Sequence, residues 1–180
     1  MEHLGGRLLI SNASLFDPNF RRAVVLIGHH DDDGAVGVVL NRPMEVSVDE
    51  VVPALARLVA PGDPLFEGGP VEPDGAVVVA EFDDPSAAGA IAFASVGFLP
   101  EDADPDAVQG VARARVFAGY AGWGPGQLED ELAEEAWLTT EALPGDVFHD
   151  DPERLWDDAV RRLGPRFAVL RTMPFDPSNN

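Results

Sequence analysis

Residues 17–43, DPNFRRAVVLIGHHDDDGAVGVVLNRP, leave a chain little freedom in how it folds. Residues 23–28 are continuously apolar and β-branched, the pattern of a strand buried on both faces. Residues 35–40 repeat that pattern, and Asp33-Gly34 between them is a favoured pair for a tight hairpin turn. A two-residue turn returns Arg42 near Val25, and a four-residue loop returns it near Ala23. Either way Asn41 and Arg42 come back to the Arg21/Arg22 end, while His29, His30 and three aspartates gather at the turn. The hairpin therefore has a cationic end and an acidic, histidine-bearing end, which cannot form one site unless another segment folds over.

Around the hairpin the sequence reads as mixed strand and helix. Residues 7–11 suit a first strand, and Asp17-Pro18-Asn19 an Asx-type turn. Ser47 with Glu50 makes a capping-box pattern ahead of a helix that Pro53 would kink and residues 61–64 would end. Further strands are expected at residues 65–67, 77–80, 91–94 and 113–120, with an acidic loop over 101–106. Gly122-Trp123-Gly124 reads as a turn into a helix over 127–136 with Pro125 at its first position, followed by a short extended segment at 137–138. Asp151-Pro152 predicts the capped start of a last helix that Gly164 stops, and residues 167–170 a final strand. Neither a repeat nor a linker interrupts the chain, so one domain over residues 1–180 is expected.

Charge narrows the function classes. Twelve basic residues, all arginine, stand against 32 acidic ones for a net charge of −20. Such a chain repels polyphosphate, so direct nucleic-acid binding is not expected, and there is no helix-turn-helix signature. Without cysteine, thiol catalysis and zinc–thiolate sites are excluded. No apolar run approaches the roughly 20 residues that span a bilayer, and the start lacks a secretory pattern, so a cytoplasmic protein without a membrane partner is expected. The Gly-x-Ser-x-Gly elbow, the HExxH helix and the Walker loop are all missing, and Ser11, Ser14, Ser47, Ser86, Ser95 and Ser178 have no evident histidine partner.

GRLLIS, DPNFRRAVVLI, HDDDGAVGVVLNRP, GGPV and GYAGWGPGQLEDELAEEAWL follow one another in this order. On these motifs the chain resembles the AlgH/YqgE family, a bacterial family often labelled as transcriptional regulators from the genetics of alginate control in one lineage. DVFHDDPERLWDDAV and the tail FDPSNN are similar to its actinobacterial branch. The resemblance implies an α+β fold, a strongly curved, partly closed β-barrel-like sheet flanked by helices, and brings no established activity. Many relatives carry His where this chain has Ala80, and a Thr-Ser-rich stretch where it has Ala94-Ser95-Val96-Gly97. Chemistry relying on those groups is not expected here.

Three clusters are candidates for chemistry. Asn19, Arg21, Arg22, Asn41 and Arg42, with Gly68 and Gly69, could bind a small anion through guanidinium forks and approachable amides, with Arg42 in contact. The bland alternative pairs Arg21 and Arg42 with local acids such as Asp17 and Glu45. Tyr120, Trp123 and Gln127 could line a pocket at a strand-to-helix turn, or serve packing and capping together with Glu131. His29, His30 and Asp31 to Asp33 read as a turn rather than a metal site, because adjacent strand residues point to opposite faces. His149 suits a solvated or capping role. No metal or cofactor is expected. The expected role is a non-enzymatic regulatory or binding protein acting through a protein partner or a small anionic ligand; the alternative is an enzyme or anion-binding protein at the Arg-rich end.

Overall fold

The apolar hairpin forms and frames everything else. In a computed structural model that describes residues 2–12 and 17–173, β1 (Arg7–Ser11), β2 (Val24–Asp31) and β3 (Gly34–Val39) lie side by side and antiparallel. Strand alternation divides their side chains between two cores. Leu8, Ile10, Val24, Leu26 and Val38 enter one; Leu9, Val25, Ile27 and Val39 enter the other. Ser14 and the FDPSNN tail lie outside the described residues.

β2 runs on through His29 and His30, beyond the apolar stretch that marks it in the sequence. Asp31 pairs with Gly34, so the turn residues are Asp32 and Asp33, one position earlier than the Asp33-Gly34 pair suggests. The Asp31 carboxylate accepts the Asp33 N–H at 2.9 Å and fixes that turn. A bulge at Gly28 absorbs one residue between the Ile27 and His29 pairs. Extending the Val25–Val39 register therefore sets Arg42 opposite Arg22, not Val25.

Seven further strands complete the sheet: β4 (Pro43–Ser47), β5 (Pro64–Glu67), β6 (Val71–Phe82), β7 (Ala90–Phe93), β8 (Val96–Phe98), β9 (Val111–Trp123) and β10 (Trp137–Glu141). The path is β10-β1-β2-β3-β9-β6-β8-β7, with β5 joined to β9 in the one parallel pairing and β4 joined to β5. β9 is the spine. Its end, taking in the Gly122-Trp123 expected as a turn, pairs with β3, and the rest pairs with β6.

The fold is α+β, but the ladder does not close: among the described residues the end strands β10 and β7 do not pair with each other. The β7–β8 hairpin instead packs across β1 and β2. A Cβ on Gly6 would sit 2.1 Å from the Ala92 carbonyl oxygen, and one on Gly28 would sit 2.7 Å from the Phe98 ring. Only glycine tolerates that approach.

Short helices cover the faces. The Ser47–Glu50 capping box forms at α1 (Val48–Val51), with Glu50 accepting the Ser47 N–H at 2.9 Å. That helix ends at once, and Pro53 opens a separate 3-10 turn, Pro53–Leu58, instead of kinking a longer helix. α2 (Gln127–Ala133) is shorter than expected and follows Gly126, while Pro125 stays in the turn before it. α3 (Pro144–Val147) and α4 (Leu155–Leu163) insert Val147, Phe148, Leu155, Trp156 and Val160 into the first core. Asp151 makes no side-chain cap; its N–H donates to His149 Nδ1 at 3.0 Å, and His149 Nε2 meets Asp158 at 2.9 Å, so His149 links this turn to α4. Residues 167–170, expected as a strand, belong to a 3-10 run, Pro165–Thr172, which the Arg171–Asp157 fork at 2.6 and 3.0 Å ties to α4.

Candidate functional site

The cationic end of the hairpin is a loop held from below. Asp17 accepts the Asn19 N–H at 2.9 Å, forming the expected Asx turn. Asn41 spans the gap beside it, accepting the Val24 N–H at 3.0 Å and donating to the Arg22 carbonyl at 2.8 Å. The Arg42 guanidinium donates to the Asn19 carbonyl and, at 3.1 Å, to the Arg21 carbonyl. Burial pulls this half-buried guanidinium below its ordinary value, while Glu67 and Asp17 pull the other way. Its contacts are backbone carbonyls, not the carboxylates of Asp17 or Glu45. Gly68 adjoins this end, accepting the Val39 N–H and donating to the Ala118 carbonyl at 2.8 Å each. The close approach that Gly68 and Gly69 permit is to β9 itself.

Tyr120, Trp123 and Gln127 part company across the sheet. Trp123 faces the second core, where its indole N–H donates to Glu131 at 2.9 Å. The Trp137 indole donates to the same oxygen at 2.7 Å, and Gln127 reaches the other oxygen at 3.1 Å while accepting the Gly124 N–H at 3.0 Å. Phe20 stacks on Trp123 with ring centroids 6.0 Å apart, so the loop carrying Asn19 and Arg21 rests on this aromatic cluster. The ten candidates thus gather around the Arg42 loop, around Glu131 and around Tyr120.

At the turn end His29 is open to solvent and bound to Asp31 at 2.7 Å, an interaction that holds the Asp31 carboxyl below its ordinary value. His30 is buried on the opposite face. Its Nδ1 accepts the Leu4 N–H at 3.1 Å, so Nε2 carries the proton donated to Glu129 at 2.7 Å. The Glu129 carboxyl is held low by its own backbone N–H and by His30. This link between the N-terminal segment, β2 and α2 has no sequence signal, since the partners stand 99 residues apart.

A groove of about 790 Å³ lies beside the first core near the hairpin turn. α3 and α4 add their apolar side chains to the same core. Gly28, Val36, Val77, Phe98 and Tyr120 line the groove, with Glu72 and Glu101 among its charged groups. The Tyr120 hydroxyl makes no hydrogen bond to a described residue. A shallower hollow carries Asp84 and Asp104, but each carboxylate already accepts a backbone N–H at 3.0 Å. Ala80 is fully buried among apolar residues.

Comparison with known proteins matches both sequence and fold. A family model described as AlgH-like covers residues 8–168. A UPF0301 protein of Streptomyces coelicolor is 45% identical over 185 residues, spanning 98% of this chain and 95% of that one. The crystal structure of protein DIP2367 of Corynebacterium diphtheriae superposes with a TM-score of 0.86 at 28% identity, covering 96% and 94% of the two chains. The solution structure of the AlgH protein of Pseudomonas aeruginosa, also UPF0301, gives 0.72 at 29%, covering 96% and 95%.

Proposed function

Because this chain belongs to the AlgH-like family, in its actinobacterial branch, and that family carries no defined activity, we propose from its own geometry that it is a binding protein. It takes a ligand or a partner's segment into the groove beside Tyr120 and acts in regulation without catalysis. The curved sheet serves as a barrel-like cup. The observation that carries this reading is the groove itself, about 790 Å³ of mainly apolar wall with one unpartnered phenol. Neutral indole titrated into the ¹⁵N-labelled protein is expected to shift the amides of Gly28, Val36 and Tyr120. Val36 is 44% exposed at the rim. Val36→Lys should therefore leave the fold intact and weaken indole by about tenfold by occupying the apolar wall. Shifts scattered over the surface, or unchanged by Val36→Lys, would overturn the groove reading.

A second reading places a small anion at Arg42, favoured by a guanidinium whose direct contacts are all neutral carbonyls. On it, inorganic phosphate should shift the amides of residues 19–22. Arg42→Lys keeps the charge but loses the fork, and phosphate affinity should fall by about tenfold. Unaltered affinity in a folded Arg42→Lys protein would rule the site out.

A further inference from the structure

β6 outruns its neighbour. β8 pairs only with Val79, Ala80 and Glu81, and the Leu99 N–H adds one bond to the Val78 carbonyl at 3.0 Å. β6 itself begins at Val71. Successive residues of a strand direct their main-chain groups to alternate sides. The alternation that aims the Phe82 N–H at Ser95 and the Val78 carbonyl at Leu99 puts exposed Ala76 next along this edge. No described residue bonds to Ala76 there.

The groove wraps this open edge. Val77 sits with Tyr120 and Phe98 on one face, and Val78 sits with Leu55 and Leu99 on the other, all of them groove-lining. We propose that an extended segment of a partner protein adds to β6 as a short strand beside Ala76, where the edge lies beyond the Leu99 bond, with alternate side chains in the two apolar halves. Resting on the groove as the binding site, this names what occupies it. The segment is basic at its flanks. Glu72 and Glu101 are exposed groove residues, no arginine lines the groove, and His29 is already committed to Asp31. A net charge of −20 also repels a second copy of this chain from the same edge.

The test titrates the ¹⁵N-labelled full chain with the blocked peptide acetyl-Lys-Val-Thr-Val-Thr-Val-Lys-amide and with its Glu-flanked counterpart. The Lys peptide is expected to slow amide exchange at Ala76 and to shift Val36 and Tyr120, with the Glu peptide about tenfold weaker. Ala76→Pro removes an edge donor without removing a ladder bond and should abolish the peptide-induced shifts at Val36 and Tyr120. Glu72→Lys with Glu101→Lys, both at exposed positions, should invert the charge preference whether or not the proline variant folds. If indole shifts the groove while the Lys peptide leaves Ala76 unprotected, strand addition is overturned and the groove reading stands. If neither ligand shifts the groove, both fall. Protection at Ala76 that grows with protein concentration in the absence of peptide assigns the edge to a second copy and overturns the proposal.

Discussion

Gly69→Ala is expected to leave almost no folded protein. Gly69 has φ +156°, and a Cβ there would lie 2.1 Å from the Tyr120 carbonyl carbon, 2.2 Å from its oxygen and 2.4 Å from the Ala121 nitrogen. These are backbone atoms, so no side chain can rotate away. β9 cannot retreat either, because β3 and β6 hold it on both sides and Gly68 bonds to Ala118. The expected loss exceeds about 4 kcal/mol, against a typical total stability of about 5–15 kcal/mol. Gly62→Ala is the matched control: φ is +79°, but nothing lies within 4 Å of its added Cβ. It should cost about 1 kcal/mol from backbone strain alone. Soluble yield and urea unfolding of the two variants check this, and comparable stability for both would refute the close approach.

Glu131→Ala should be the most damaging side-chain truncation outside the hydrophobic cores. Its carboxylate receives the indole N–H groups of Trp123 and Trp137, whose side chains are almost wholly buried. Truncation leaves two donors without an acceptor, at about 1–3 kcal/mol each, for an expected loss of about 3–5 kcal/mol. Glu131→Gln retains acceptor oxygen but loses the charge, and should cost about 1–2 kcal/mol. Trp156 belongs to a different core, where it donates to the Ser11 carbonyl at 2.9 Å, and it should report only global unfolding. Thermal unfolding followed by tryptophan emission separates the two variants; a loss below about 1 kcal/mol for alanine would show that the indoles find other acceptors. This geometry also bears on Trp123 as a ligand contact: its polar handle is already spent.

Much of the strand content was legible because burial on both faces leaves a local mark. Residues 23–28 and 35–40 could hardly be anything but central strands, and Ser47 with Glu50 announced its own helix start. The short strands β4 and β8 carried no such pattern, and residues 167–170 looked like a strand while an ion pair from Arg171 to Asp157 coils them onto α4. The candidate site was legible as a set of residues but not as an arrangement. Asn41 and Arg42 do return to the Arg21 loop, as the hairpin requires, yet their hydrogen bonds go to backbone carbonyls that sequence spacing cannot place. The His30–Glu129 link and the Glu131 fork join partners from different elements, so neither shows as a local motif.

The hairpin of residues 17–43, the separation of its two polar ends and the family could all be read from residues close together in the chain. Side-chain alternation, turn chemistry and charge act over a few residues and can be read in one dimension. What surrounds each end depends on segments far away in the chain. A bulge at Gly28 shifts the register that positions Arg42, and the path through β9 brings Tyr120 and β6 beside Val36. The groove is lined by residues of β2, β3, β6, β8 and β9, which is a property of packing between distant segments.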